Sequence, residues 1–137
     1  MQCGLCEAQK ETYRLIDENK EAFSVIPIEP LKLGHLMILP KRHVIDIIDL
    51  SEKELKSFFQ LTDKLKDKIK KLSNQDLIIQ INTGKHKTQE HFHAHILPAQ
   101  SGLRDIIASL EGVPKRQLLS KEKLEEMKNK ILKSFIP

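Results

Sequence analysis

Four of the six histidines in this chain fall between residues 86 and 95, and three of them, His91, His93 and His95, alternate with Phe92, Ala94 and Ile96. Side chains on a strand repeat every two residues, so this spacing places three imidazoles on one face and three apolar groups on the other. Packing alone does not call for such a row. Buried imidazoles need partners, and exposed ones do no more than a threonine or lysine would. Two kinds of chemistry use imidazoles at this spacing. A neutral imidazole is a nucleophile near neutral pH. Three imidazoles can also share one catalytic zinc ion. A second pair of reactive residues opens the chain: Cys3 and Cys6, its only cysteines, are spaced as a metal pair or a redox pair.

The rest of the chain must position these groups. At 137 residues it is long enough for one domain with a hydrophobic core, and 1–137 is read as a single domain. No apolar run is long enough to span a bilayer and no signal-peptide pattern follows Met1, so a cytoplasmic protein without a membrane partner is expected. The formal charge of +4 raises the question of nucleic acid, but the lysines are interleaved with acids, as in Glu52-Lys53-Glu54. That pattern describes solvated helix faces and a mild positive field suited to a small phosphorylated molecule.

Residues 12–17 and 22–27 are short apolar-rich runs around Glu18-Asn19-Lys20 and predict a hairpin. Residues 36–39 predict a third strand, entered through Gly34 and stopped by Pro40. Ser51 and Glu54 form a capping-box pattern, after which Leu55, Phe58, Phe59, Leu65, Ile69 and Leu72 recur at helical spacing. Strands are expected at 77–82 and 91–97, a short helix at 103–111, and a last helix capped by Ser120 with Leu124, Met127, Ile131 and Phe135 along one side. That last stripe suits packing on the body or on a partner subunit. Mixed but not alternating elements predict an α+β class: a five-stranded antiparallel sheet with one long helix and C-terminal helical segments.

His91-Phe92-His93-Ala94-His95-Ile96-Leu97-Pro98 resembles the His-x-His-x-His-apolar-apolar signature of the histidine triad superfamily. Three other segments agree in order. Asn82-Thr83-Gly84 resembles the Asn-x-Gly that precedes the triad. Gly34-His35, the apolar run to Leu39 and Pro40-Lys41-Arg42-His43 resemble the family's Gly-His, strand and Pro-Lys-x-His segment. Cys3-Gly4-Leu5-Cys6 resembles the Cys-x-x-Cys of its zinc-bearing members. The match covers about 3–98, leaving 103–137 as a helical extension.

The resemblance implies a phosphohydrolase or transferase that cleaves a phosphoanhydride or phosphoramidate bond of a nucleotide conjugate. His93 would attack phosphorus and form a covalent nucleotidyl-histidine, while His35 and His95 would bind phosphate oxygens. It implies that Asn82, with Thr88 and Gln89 of the loop, touches phosphate or leaving group. It also implies a structural zinc held by Cys3, Cys6, His43 and His91, and a homodimer joined through the long helix and the edge of the fourth strand. The chain departs from the family in three places. Pro27 stands where an aspartate usually holds ribose hydroxyls, with Glu29 the nearest acid. The loop 85–90 is short and lacks the usual Gly-Gln-Ser/Thr-Val pattern. Ala99 replaces an arginine. A nucleotide-binding or scaffold protein with little turnover is the alternative these departures leave open.

Overall fold

The computed structural model describes residues 3–83 and 90–137. The chain divides into two compact units, 1–102 and 103–137. The first runs α1 (Gly4–Ala8), β1 (Leu15–Glu18), β2 (Ala22–Val25), β3 (Leu36–Pro40), a 3-10 turn at Ile47–Asp49, α2 (Glu52–Ser73), β4 (Leu77–Gln80) and β5 (Ala94–Pro98). The second holds α3 (Leu103–Glu111) and α4 (Lys121–Lys133), the latter capped by the Ser120 hydroxyl, which accepts from the Lys123 backbone N–H. The five strands form one sheet in the order β1-β2-β3-β5-β4, and every neighbouring pair is antiparallel.

The sheet is covered on both faces of its middle strands, and the residue pattern shows why. Phe58, Leu61, Leu65 and Ile69 of α2 pack on Leu36, Ile38, Phe92, Ala94 and Ile96. On the other face, Leu5 and Ala8 of α1 pack on Phe23, Val25, Met37 and Leu39. β2 and β3 are therefore buried at every position and read as continuous apolar runs instead of alternating ones. The period-two reading of the triad segment holds on its apolar side: Phe92, Ala94 and Ile96 all enter the α2 core.

The capping box at Ser51 forms as its pattern requires. The Glu54 N–H donates to the Ser51 hydroxyl at 3.2 Å, and the Ser51 N–H donates to Glu54 Oε1 at 3.0 Å. Glu54 also takes Arg42 at 2.7 Å, which holds its carboxyl down at about 2 and joins the end of β3 to the start of the long helix. Asn74 ends that helix in the left-handed region at φ 53°, where a short polar side chain substitutes for glycine. Gly34 turns the chain into β3 at φ +95°, with Pro98 pressed against it.

Element boundaries shift from those expected. β1 begins at Leu15, not residue 12, because the Arg14 and Leu15 N–H groups both turn back to the Glu11 carbonyl. β5 begins at Ala94, not residue 91, because the Phe92 N–H leaves the ladder and donates to Val44 at 2.7 Å. β4 closes at Gln80, before the expected residue 82. The α2 stripe is narrower than the spacing suggested: Leu61 and Thr62 are buried, whereas Leu55, Phe59 and Leu72 are exposed. The short α1 helix was not foreseen. Its N-cap is Cys3, whose sulfur accepts from the Cys6 N–H.

Candidate functional site

Imidazoles from two parts of the sheet meet at one cleft. His95 comes from β5, His93 from the residue just before it, and His35 from the turn entering the neighbouring strand β3. Antiparallel pairing of β3 with β5 sets Met37 opposite His95 and brings His35 alongside. His35 Nε2 and His95 Nδ1 are 2.9 Å apart, and the His93 and His95 rings have centroids 5.1 Å apart. His35 and His93 are buried and His95 half-buried, in a cleft of about 460 Å³ that Glu11, Arg14, Pro27, Glu29 and Met37 also line.

Hydrogen-bond partners decide which nitrogen of each ring carries a proton. His93 Nδ1 lies 2.8 Å from the His91 carbonyl. A carbonyl only accepts, so Nδ1 is the donor and the neutral ring keeps its lone pair on Nε2. The Leu31 N–H donates to His35 Nδ1 at 3.0 Å. The neutral His35 ring therefore carries its proton on Nε2 and donates to His95 Nδ1, which leaves His95 with a proton on Nε2. One ring thus offers a nucleophilic nitrogen, and its neighbour offers a donor for an oxygen near the same centre. Burial, with the neighbouring His93 and His35 rings, pulls His95 down to about 4, and burial lowers His35. Both rings are neutral at pH 7.

Asn82, half-buried beyond the end of β4, lines a small cavity of about 30 Å³ together with Thr83, Phe92 and His93. Gln80 donates to its side-chain oxygen at 2.8 Å. Asn82 therefore stands on a second side of His93. Thr88, Gln89 and His86 lie outside the described residues.

The triad's first histidine serves another cluster. Cys3, Cys6, His43 and His91 bring one ligand atom each within 4.8 Å of one another. His43 Nδ1 and His91 Nδ1 are each 3.3 Å from Cys6 Sγ, and His91 Nδ1 is 3.6 Å from Cys3 Sγ. Such edges match a tetrahedron with metal–sulfur arms near 2.3 Å and metal–nitrogen arms near 2.0 Å, whose edges are roughly 3.5 Å. His91 Nε2 donates to the Pro40 carbonyl at 3.0 Å, which fixes its tautomer and turns the Nδ1 lone pair toward the thiols. Burial and the adjacent Cys3 thiol push the Cys6 thiol up to about 11. These four residues could hold a metal ion. The zinc-hydrolase alternative for the triad does not fit this geometry. Among the described residues, His91 is the only triad member in a metal-ligand group, while His93 and His95 are turned to a carbonyl and to His35.

Two cleft residues were not anticipated. Arg14 is buried in the cleft wall and ion-paired to Glu11 at 2.6 Å. The signal in the sequence is a lone arginine inside the apolar-rich run 12–17, a position that by itself marks only a strand.

The HIT domain family model matches residues 8–102. A HIT-like protein of Mycoplasma genitalium is 30% identical over 99 residues, covering 70% of each chain. An AP-4-A phosphorylase of Mycobacterium tuberculosis is 28% identical over 102 residues, 72% of this chain and 52% of that one. The crystal structure of a histidine triad nucleotide-binding protein from Candida albicans superposes with a TM-score of 0.69 at 21% identity, covering 98% of this chain and 97% of the other.

Proposed function

Since the chain belongs to the HIT domain family, whose members are in general nucleotide hydrolases and transferases, we propose that it cleaves a phosphoanhydride or phosphoramidate bond of a nucleotide conjugate through a covalent nucleotidyl-histidine on His93. The observation that carries this reading is the 2.8 Å bond from His93 Nδ1 to the His91 carbonyl. In the neutral ring it makes Nε2 the nitrogen that carries the lone pair and can attack. In the first step Nε2 bonds to the α-phosphorus, the bond to the leaving group breaks, and that group takes a proton from solvent. In the second, water attacks phosphorus and loses one proton to solvent, the nitrogen–phosphorus bond breaks, and nucleoside monophosphate leaves with His93 neutral again. His95, with its proton on Nε2, and His35 behind it stabilise the charge that develops on phosphate oxygens. Asn82 supports the phosphate or leaving group from the other side; the resemblance gives Thr88 and Gln89, outside the described residues, the same task.

Zinc is the metal the cluster suits, because a Cys2His2 set of soft and borderline donors favours it over harder cations. It would tie the N-terminus to the triad strand and supply no step at phosphorus. β4 is one of the two sheet edges, and Ile79 on it, like Phe59 on α2, is exposed, which supports a homodimer joined there. No helix among the described residues is long and apolar enough to cross a membrane. A ligand pair of free thiols suits the reducing cytoplasm.

The test is a screen of adenosine and guanosine phosphoramidates and diadenosine polyphosphates with wild-type protein and His93→Asn. The variant is expected to keep its fold and bind nucleoside monophosphate while losing turnover by at least about 10³-fold, and wild type should yield a phosphorus adduct on His93 by mass spectrometry. Near-wild-type turnover by the variant would refute the nucleophile. Nucleotide binding by wild type without turnover of any conjugate would instead support a binding or scaffold protein.

A further inference from the structure

The phosphorus chemistry leaves one charged pair in the cleft without a task. Arg14 is 6% exposed, and two donors account for its position: Nε to Glu11 Oε2 at 2.6 Å and Nη1 to the Ile26 carbonyl at 3.1 Å. The Tyr13 hydroxyl donates to the same Oε2 at 2.7 Å. One oxygen of Glu11 is therefore doubly engaged, while Oε1 accepts from nothing among the described residues. The Tyr13 hydroxyl, then Arg14, hold the Glu11 carboxyl below its ordinary range, so it is an acceptor and never a donor at neutral pH.

A carboxylate beside an anionic substrate weakens binding by repulsion unless its charge is offset and its lone pairs meet donors. Arg14 offsets the charge from within the wall. The donors must then come from the substrate, and not from its phosphate, which has none to give when ionised. The imidazole end of the cleft takes the phosphate, so the donors belong to the remainder of the molecule. A cleft of about 460 Å³ has room for that remainder. We propose that Glu11 determines specificity by accepting hydrogen bonds from the hydroxyl groups of the substrate's sugar, and that Arg14 is its positioning residue. This rests on the nucleotide reading above. Glu29, the other carboxylate of the cleft, is exposed and has no fixing partner among the described residues, so it lacks the preorganisation that makes a discriminating contact.

Calorimetric titration of adenosine monophosphate, its 2′,3′-dideoxy analogue and inosine monophosphate into wild type, Glu11→Gln and Glu29→Gln tests this. Wild type should bind the ribonucleotide at least about tenfold more tightly than the dideoxy form, the worth of one hydrogen bond to a charged acceptor. Glu11→Gln should bring that ratio toward one, and Glu29→Gln should keep it. The ratio compares two ligands on one protein, so a general loss of stability does not move it. Should Glu11→Gln fail to fold, Glu11→Asp keeps the charge for Arg14 and withdraws the acceptor, and the ratio should fall there too. A ratio unchanged in the Glu11 variants, or lost in Glu29→Gln instead, overturns the assignment. So does a Glu11 dependence that follows the base amine, seen as a difference between adenosine and inosine monophosphates. Absence of binding for all three to wild type removes the nucleotide reading itself, and the inference with it.

Discussion

The cleft holds a neutral imidazole pair against protonation, and this should be measurable as a pH dependence of folding carried by one residue. His95 is drawn from its ordinary 6.5 to about 4 by burial and by the His93 and His35 rings. A histidine with a lowered folded-state pKa resists a proton that the unfolded chain accepts. Its penalty is absent above pH 6.5, grows as the pH falls below that value, and is complete near pH 4. At about 1.4 kcal/mol for each pH unit, the ceiling is roughly 3 kcal/mol. The ring is half-buried, so water reduces this to about 2 kcal/mol. His95→Asn removes the titrating group but keeps an oxygen able to accept from His35 Nε2. Urea unfolding of both proteins at pH 7 and pH 4.5 gives the loss of stability on acidification for each. Wild type should lose about 1–2 kcal/mol more than the variant over that interval. Release of a metal held by Cys3, Cys6, His43 and His91 would also destabilise at low pH, but both proteins carry that cluster and the difference cancels it. Equal losses in the two proteins, or an NMR titration placing His95 near 6.5, would refute the buried, proton-resisting cleft.

Elemental analysis of purified protein should find about one zinc per chain, and Cys3→Ser with Cys6→Ser should abolish it; wild type without tightly held metal would count against the site. Gly34→Ala should cost about 2–3 kcal/mol in denaturant unfolding, because φ is +95° and the new methyl would meet Pro98 Cγ at 2.8 Å and Ile69 Cγ2 at 3.3 Å; a loss under about 0.5 kcal/mol would show that this turn relaxes freely. Sedimentation at micromolar concentration should report a dimer, and Phe59→Asp should shift it to monomer; a wild-type monomer would remove the α2 and β4 interface.

What the residue pattern could and could not reveal follows from where each constraint lies. The apolar side of the triad was legible because Phe92, Ala94 and Ile96 obey a period of two and enter one core. The long helix was legible at its start, where Ser51 and Glu54 cap each other locally, but less so along its length. Leu55, Phe59 and Leu72 share the helical spacing of the buried residues yet stay exposed, since spacing fixes a face and not its width. The strand ends were illegible because tertiary hydrogen bonds set them, with Val44 taking the Phe92 N–H and Glu11 the Arg14 N–H. The same interruption before β5 has a chemical consequence. His91 leaves the ladder, its Nε2 donates to Pro40, and its carbonyl is released to accept from His93. In a regular strand all three imidazoles would project alike from one face. Breaking the strand at its first histidine separates their surroundings, turning His91 toward the thiols and leaving His93 in the cleft with no partner on Nε2 among the described residues. Alternation alone brings three imidazoles together; the departure from it turns one of them to a group that could hold a metal ion and leaves another in the cleft for the attack proposed above.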